Sequence, residues 1–534
     1  MLLTLALLAS TVLAGAAEPV PTDLALEQAG AVIGEILIDN QNIFNLEDPR
    51  ENTKLFRLAN RLHIKTRETV IRKQLLFRPG DRFSRHVLDE SERILRGERY
   101  FYDAWITAVR FHDGKVDVRV TTRDVWTLNP GVSFGRSGGK NSSGFELEEL
   151  NVLGTGSQIA LSHKSSVDRT QDQISLADQH VFGSWVSASA AYSNNSDGVL
   201  REIAVEKPFY ALDTRHAGGV SAFDNDQTDS LYDRGQIVDQ FQSHTKFASG
   251  YVGFSSGLQE GWVKRWRLGA TYDEHRFEAL PTWTGVTLLP QDRKFVYPWI
   301  ELDLIEDDFQ KYRNHNQIER TEDFYVGNAA GIRVGWADSA FGSSRSALLY
   351  QGFATQGFAA TERTTLLLAE RFYGRLEDGA LRNSLLDTNL RYYAKQSSKW
   401  LFFTTLEATV GHNLDLDNQL LLGGDSGLRG YPLRYQGGDA RMLFTVEQRY
   451  FTDWYPWRLF RIGGAVFFDA GRTWGPAPVA TQSLGVLKDA GFGLRIGNSR
   501  SGLGNIIHVD IAFPVDGDNS IKRVQFIVQT KQSF

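Results

Sequence analysis

Residues 506–515 read IIHVDIAFPV. Ile507, Val509, Ile511, Phe513 and Val515 share one phase of a two-residue period, and His508 and Asp510 fall on the other. FFTTLEATV (402–410) repeats the pattern, with apolar residues at 402, 406, 408 and 410 and polar Thr405, Glu407 and Thr409 between them. Near the C-terminus Val524, Phe526 and Val528 alternate with Arg523, Gln525 and Gln529. From residue 130 onward, segments of this kind recur between Gly/Asn/Asp/Ser clusters over roughly 400 residues, which requires one apolar and one polar surface throughout. A soluble sandwich would hide the apolar phase inside. A membrane barrel would turn it outward to lipid, keep a polar lumen and leave no unpaired strand edge.

Three features favour the barrel. The chain starts MLLTLALLASTVLAGAA, the apolar part of an export signal spanning 1–16, with cleavage expected after Ala14 or Ala16. No Lys or Arg precedes that run, which departs from the usual pattern. Glu447, Arg449, Asp469 and Arg495 lie on the polar phase of otherwise apolar strands, and the chain ends in a strand with a terminal aromatic, Phe534. The bulk numbers agree. Among 534 residues there are 50 glycines and no cysteine, so neither a disulfide framework nor a thiolate metal site is available. A net charge of −6 argues against a nucleic-acid binder. A mean hydropathy of −0.30, by contrast, resembles that of a soluble protein.

After a linker at 17–31, residues 32–127 read as a small α+β domain of β-α-α-β-β order. VIGEILI forms a strand. Thr66 is positioned to cap a helix through Val70, Ile71, Leu75 and Leu76, and RPGD makes a turn. Phe83 ahead of Ser84 can staple onto Leu88 at the start of a second helix. Two strands follow around His112-Asp113-Gly114-Lys115, where Asp-Gly predicts a tight hairpin. Trp105, Trp126, Tyr100 and Tyr102 read as packing residues rather than a client groove. An exposed strand edge on this domain could receive an extended client by strand addition.

The stretch GGDSGLRGYPLRY (423–435) contains two competing signals. GDSG looks like a serine-hydrolase fragment. Leu428 stands where the chymotrypsin-like pattern continues with Gly, and no base is marked for Ser426. GRSGG (135–139) and GFSSG (253–257) match the looser nucleophile pattern without a strand-to-helix elbow. A Gly-rich loop is the preferred reading, and no catalytic residue is assigned. The second signal is Arg429. Downstream, FFDAG (467–471) places Phe467, Asp469 and Gly471 on one phase, so Asp469 faces the lumen if the apolar phase faces lipid. Glu447, Arg449, Asp489 and Arg495 are luminal by the same count. A confined carboxylate needs a partner, and a loop arginine can supply one bidentately.

An R-G-Y/F loop tip followed by F-x-D-x-G resembles the superfamily of BamA and TamA assembly proteins and FhaC-type two-partner secretion transporters. The resemblance implies a transmembrane barrel of about 16 antiparallel strands over 128–534. It also implies a loop folded back into that barrel, with its arginine on the acid of the F-x-D-x-G strand. Carried over, the functional residues are Arg429, Gly430, Tyr431, Phe467, Asp469 and Gly471. Residues 32–127 are similar to one POTRA unit, and Phe534 to the end signal of outer-membrane barrels. The family's essential assembly factor carries several POTRA units and its secretion transporters two; here one is found, and no patatin-like domain. The function implied is assembly, insertion or translocation of other polypeptides, with client outer-membrane or secreted proteins, outer-membrane lipid and periplasmic accessory proteins as the partner classes. No cofactor, metal or nucleic acid is expected. A passive outer-membrane channel and an outer-membrane hydrolase remain the competing classes.

The acidic stretch FDNDQTDSLYD (223–233) lacks the Gly and distal Glu of a calcium loop and reads as a solvated loop. The mixed-charge run at 305–323 reads as a hairpin connection with wet flanks.

Overall fold

The computed structural model describes residues 20–534 apart from 286, 359–360, 362, 478, 480–483, 503, 505, 518, 520 and 532. The export signal expected at 1–16 lies outside the described residues. Asp113 and Gly114 both take positive φ (49° and 73°), forming a tight hairpin between β2 (Phe101–His112) and β3 (Lys115–Asp124). β1 (Val32–Gln41) pairs in parallel with β3, so the sheet order is β1-β3-β2 and β1 and β2 are its edges. Val116, Val118 and Val120 are fully buried beneath the helices with Ile71, Leu88 and Leu95.

Four helices, not two, accompany this sheet. α1 (Asp23–Gln28) occupies the expected linker and buries Leu26. α2 (Lys54–Leu62) was not anticipated; its N-cap is Thr53, whose hydroxyl accepts from Phe56 N. α3 (Glu68–Lys73) begins one residue past Arg67, so Thr66 is not its cap. Thr66 is buried instead. Its amide donates to Asp124 and its hydroxyl accepts from Asn151 Nδ2. α4 (Arg85–Gly97) has Ser84 at its N-cap without a side-chain cap bond, and Phe83 and Leu88 share the same core.

From Leu128 the chain forms a closed antiparallel barrel of 20 strands rather than the expected 16 or so. That number came from the resemblance, not from counting alternating segments. The first six strands are compact, from Leu128–Ser137 to Gly198–Lys207. Their 8 to 10 residues are close to what a tilted strand needs to cross lipid. The next two are long. His216–Asp233 has 18 residues and Gln236–Gln259 has 24, more than a tilted strand needs to cross lipid. The acidic stretch 223–233 lies in this long ladder, not in a loop, and Phe223 stacks on Phe247 of the neighbouring strand.

The barrel is inside-out relative to a soluble protein. In Phe460–Trp474, Val466 is 63% exposed while Asp469 is 0% exposed; in Leu487–Asn498, Leu494 is 53% exposed while Arg495 is 0% exposed. Apolar side chains therefore face outward and charges face the lumen, as lipid requires.

Candidate functional site

Residues 423–435 form the far end of the connection between strands Trp400–His412 and Ala440–Phe451. A short ladder, Leu420–Leu422 with Gln436–Gly438, clips the base of this segment. The tip turns into the lumen because Leu428 and Tyr431 are fully buried there with Leu422, Leu443 and Leu487. Gly430 is required by space. A Cβ at that position would lie 2.6 Å from Asp489 Cβ and 3.2 Å from Pro514 N.

Arg429 stands at the centre. Its Nε and Nη2 donate to the two oxygens of Asp469 at 2.7 and 2.8 Å, and its Nη1 donates to Glu447 Oε1 at 2.9 Å. Its guanidinium lies 3.4 Å from the centroid of the Phe467 ring. The neighbouring residues complete the dock. Gly430 N donates to Asp489 Oδ2 at 3.0 Å, and Tyr431 Oη shares its one hydrogen between the carbonyls of Lys488 and Asp516 at 2.8 and 3.0 Å. Gly471 lies beside Leu422 at the clip. The fork of Arg429 thus meets a planar carboxylate edge-on, the geometry in which arginine recognises carboxylate best.

The other luminal charges extend this cluster. Arg449 Nε donates to Glu447 Oε2 at 2.8 Å, and Arg495 pairs with Asp510. Thr445 Oγ1 donates to Asp469 at 2.8 Å. Asp489 is directly opposite Asp469 in the ladder, so the Gly430 amide meets a second buried carboxylate. Phe534 does not face lipid. It packs in the lumen on Phe451 and Ala465, 5.3 Å from the Arg449 guanidinium.

Several partners were missed from sequence. Arg434, in the same quoted stretch, pairs bidentately with Asp168 at 2.7 Å. Asp415 and Asp417 are held by Arg375 and Arg293. The mixed-charge run at 305–323 contributes to the hairpin Phe309–Arg313/Thr321–Tyr325, but its tip is not wet. His315 is buried, and its carbonyl accepts from Arg449 at 2.9 Å. Asn316 O accepts from Phe534 N at 2.7 Å. The same hairpin reaches the N-terminal domain, where Arg96 grips Asp323 bidentately at 2.7 Å and Lys311 reaches Glu92 at 2.6 Å. A polar cavity of about 660 Å³ remains between loop and hairpin, lined by Arg371, Arg391, Glu407 and Lys531 among others.

Ser426 takes no part in a triad. Its hydroxyl accepts from Gly423 N at 2.8 Å, which closes its own turn. Tyr100 and Trp126 are packed, and Tyr102 donates to Glu319 O; Trp105 is exposed. Among the described residues no cluster of His, Cys, Asp and Glu could hold a metal ion.

No family model and no curated protein matches this chain. Solved structures do. One is BamA from Haemophilus ducreyi lacking POTRA domains 1-3, at 15% identity over 93% of this chain and 85% of that one, with a TM-score of 0.43. CdiB from Escherichia coli is similar at 12% identity over 94% and 77%, with a TM-score of 0.44. CdiB from Acinetobacter baumannii is similar at 12% identity over 94% and 73%, with a TM-score of 0.42.

Proposed function

We propose that this protein sits in the bacterial outer membrane and assembles, inserts or translocates other polypeptides there. The observation that carries the reading is the loop tip held in the lumen by Arg429 on Asp469 and Glu447. An open pore for small solutes gains nothing from a plug fastened by a buried bidentate ion pair. A barrel that must switch between a closed resting state and an engaged state needs such a latch. Arg429, Gly430, Tyr431, Phe467, Asp469 and Gly471 form it, and Glu447, Arg449, Asp489 and Arg495 set the surrounding charge.

The seam supports the same reading. Between the first and last barrel strands, Leu128–Ser137 and Gln525–Lys531, the described register holds one pair, Arg136 with Val528. The next ladder runs from Ile506/Lys531 to Ala512/Gln525. With one registered pair among the described residues, and each backbone hydrogen bond worth about 1 kcal/mol net, this seam is a cheap place to part the wall. The domain at 32–127 serves as a periplasmic POTRA-like unit that receives clients along its β1 or β2 edge. Ser426 is a turn residue and performs no hydrolysis.

The test is the quantitative outer-membrane and secreted proteome of cells with, without, and with Arg429→Ala protein. Loss of one or a few proteins in both defective arms is expected, and would name the client. An unchanged proteome overturns the proposal. If purified barrels then showed steady ohmic conductance, the passive-channel reading would replace it.

A further inference from the structure

Helix α2 has an outer face that the fold leaves bare. Leu55, Leu58 and Leu62 recur at i, i+3 and i+7, forming one stripe, and they are 66%, 49% and 63% exposed. Ile64, just past the helix, is 53% exposed. Lys54, Arg57 and Arg61 form a second stripe along one side of the leucines, and all three are exposed. The opposite side anchors the helix. Phe56 stacks on Phe44 at 3.9 Å between ring centroids, and both pack with Trp126 and Leu459. Arg500, in a barrel turn, donates to Ile43 O and pairs with Glu51, which fixes the segment leading into the helix.

Leu459 closes the turn Pro456–Arg458, and that turn and its approach expose Trp457 (75%) and Trp454 (65%). The helix is therefore seated on the rim of the barrel wall, against a turn that presents two bare indoles. Indoles concentrate where a membrane protein crosses the lipid headgroup layer. A leucine stripe bordered by Lys and Arg is the dress of a helix lying in that layer, its apolar side among acyl chains and its cations at phosphates.

We propose that α2, together with Trp454 and Trp457, is an interfacial anchor seated in the periplasmic leaflet of the outer membrane, with anionic phospholipid as its occupant. The anchor holds the N-terminal domain in one orientation against the lipid beside the barrel. The inference rests on the reading of the barrel as membrane-embedded, and its test separates the two.

The chain has no cysteine, so single-cysteine variants label at one place. The full chain carrying Leu58→Cys, Val466→Cys or Glu35→Cys is labelled with bimane. Each is reconstituted in phosphatidylethanolamine/phosphatidylglycerol vesicles containing nitroxide-labelled phospholipid. The Val466 probe reports the lipid-facing wall, and the Glu35 probe an exposed strand of the N-terminal domain. Leu58 is expected to be quenched by the lipid nitroxide nearly as strongly as Val466, and to resist iodide. Adding Arg57→Glu and Arg61→Glu should reduce that quenching without changing it at Val466. Quenching of Leu58 by iodide and not by nitroxide overturns the proposal. Protection from both quenchers means that protein covers the helix, and overturns it as well. A Val466 probe untouched by nitroxide would instead refute the membrane barrel itself.

Discussion

Removing the Arg429 side chain should release the inward loop while leaving the barrel closed. Arg429→Ala leaves Asp469, which is 0% exposed, without a cationic partner from the loop, while Thr445 still donates to it. Glu447 keeps Arg449 at 2.8 Å. Taking one partner from a buried ion pair costs about 3–5 kcal/mol, because the charge left behind stays desolvated. The barrel ladders do not depend on that contact, so the penalty falls on the docked loop. The docked-to-released ratio should fall by about 2.2 to 3.7 powers of ten, at 1.36 kcal/mol per power. Asp469→Ala should cost less. Arg429 then retains Glu447, and the carboxylate opposite Asp489 disappears. The assay is hydrogen exchange and limited proteolysis across 420–438, with heat-modifiable gel migration as the check on barrel closure. Arg429→Ala should lose protection most, Asp469→Ala in part, and both should migrate as folded barrels. Normal protection in Arg429→Ala, or unfolding of the barrel along with the loop, would refute the latch.

Three further outcomes are expected. Gly430→Ala places a Cβ against Asp489 Cβ and the Pro514 backbone, so the tip must back out. Its loop protection should resemble that of Arg429→Ala although no charge is lost. His86 pairs with Asp307 at 2.5 Å across the junction of domain and barrel, and this hydrogen bond, with burial opposing it, holds the imidazole above its ordinary value of 6.5. A raised folded value stabilises docking fully below the unfolded value and is lost as pH rises through the folded one. Exchange protection of α4 should therefore be greater at pH 6 than at pH 8, and Asp307→Asn should remove the difference. A disulfide between Arg136→Cys and Val528→Cys should block client assembly reversibly under reductant if the seam opens, and should leave assembly untouched if it does not.

The fold class was legible because the alternation runs for hundreds of residues and its charged phase has no reason to face a dry core. Asp469 and Arg495 could be assigned to the lumen by phase alone, and they lie there. The strand number was not legible in the same way. Where strands run longer than a lipid crossing needs, as in His216–Asp233, both faces are polar and the period-two signal fades into what reads as loop. In the N-terminal domain, α2 was invisible because its leucines face outward and leave no buried stripe to detect. Thr66 looked like a helix cap because capping chemistry is local. Its real partners, Asp124 and Asn151, come from other elements.

The site was legible in half. Arg429 and Asp469 announced each other because one is a loop cation beside Gly and Tyr and the other a lone acid on a luminal phase. The hairpin Phe309–Arg313/Thr321–Tyr325 gave no such signal, since a run of mixed charges is usually solvated and a partner such as Arg96 for Asp323 lies more than two hundred residues away. Yet the two inserts are linked through one carboxylate and its second arginine. Glu447 offers Oε1 to Arg429 from the loop and Oε2 to Arg449, and Arg449 passes on to the His315 carbonyl of the hairpin. The hairpin in turn grips α4 through Asp323 and Lys311. A carboxylate shared between two guanidiniums cannot lose one without strengthening its hold on the other, so withdrawal of the loop tip alters the electrostatics of the residue that holds the hairpin. The N-terminal domain and the inward loop tip are thus joined through contiguous polar contacts. Under the proposed function, that path is where client binding at the domain would bear on the loop tip.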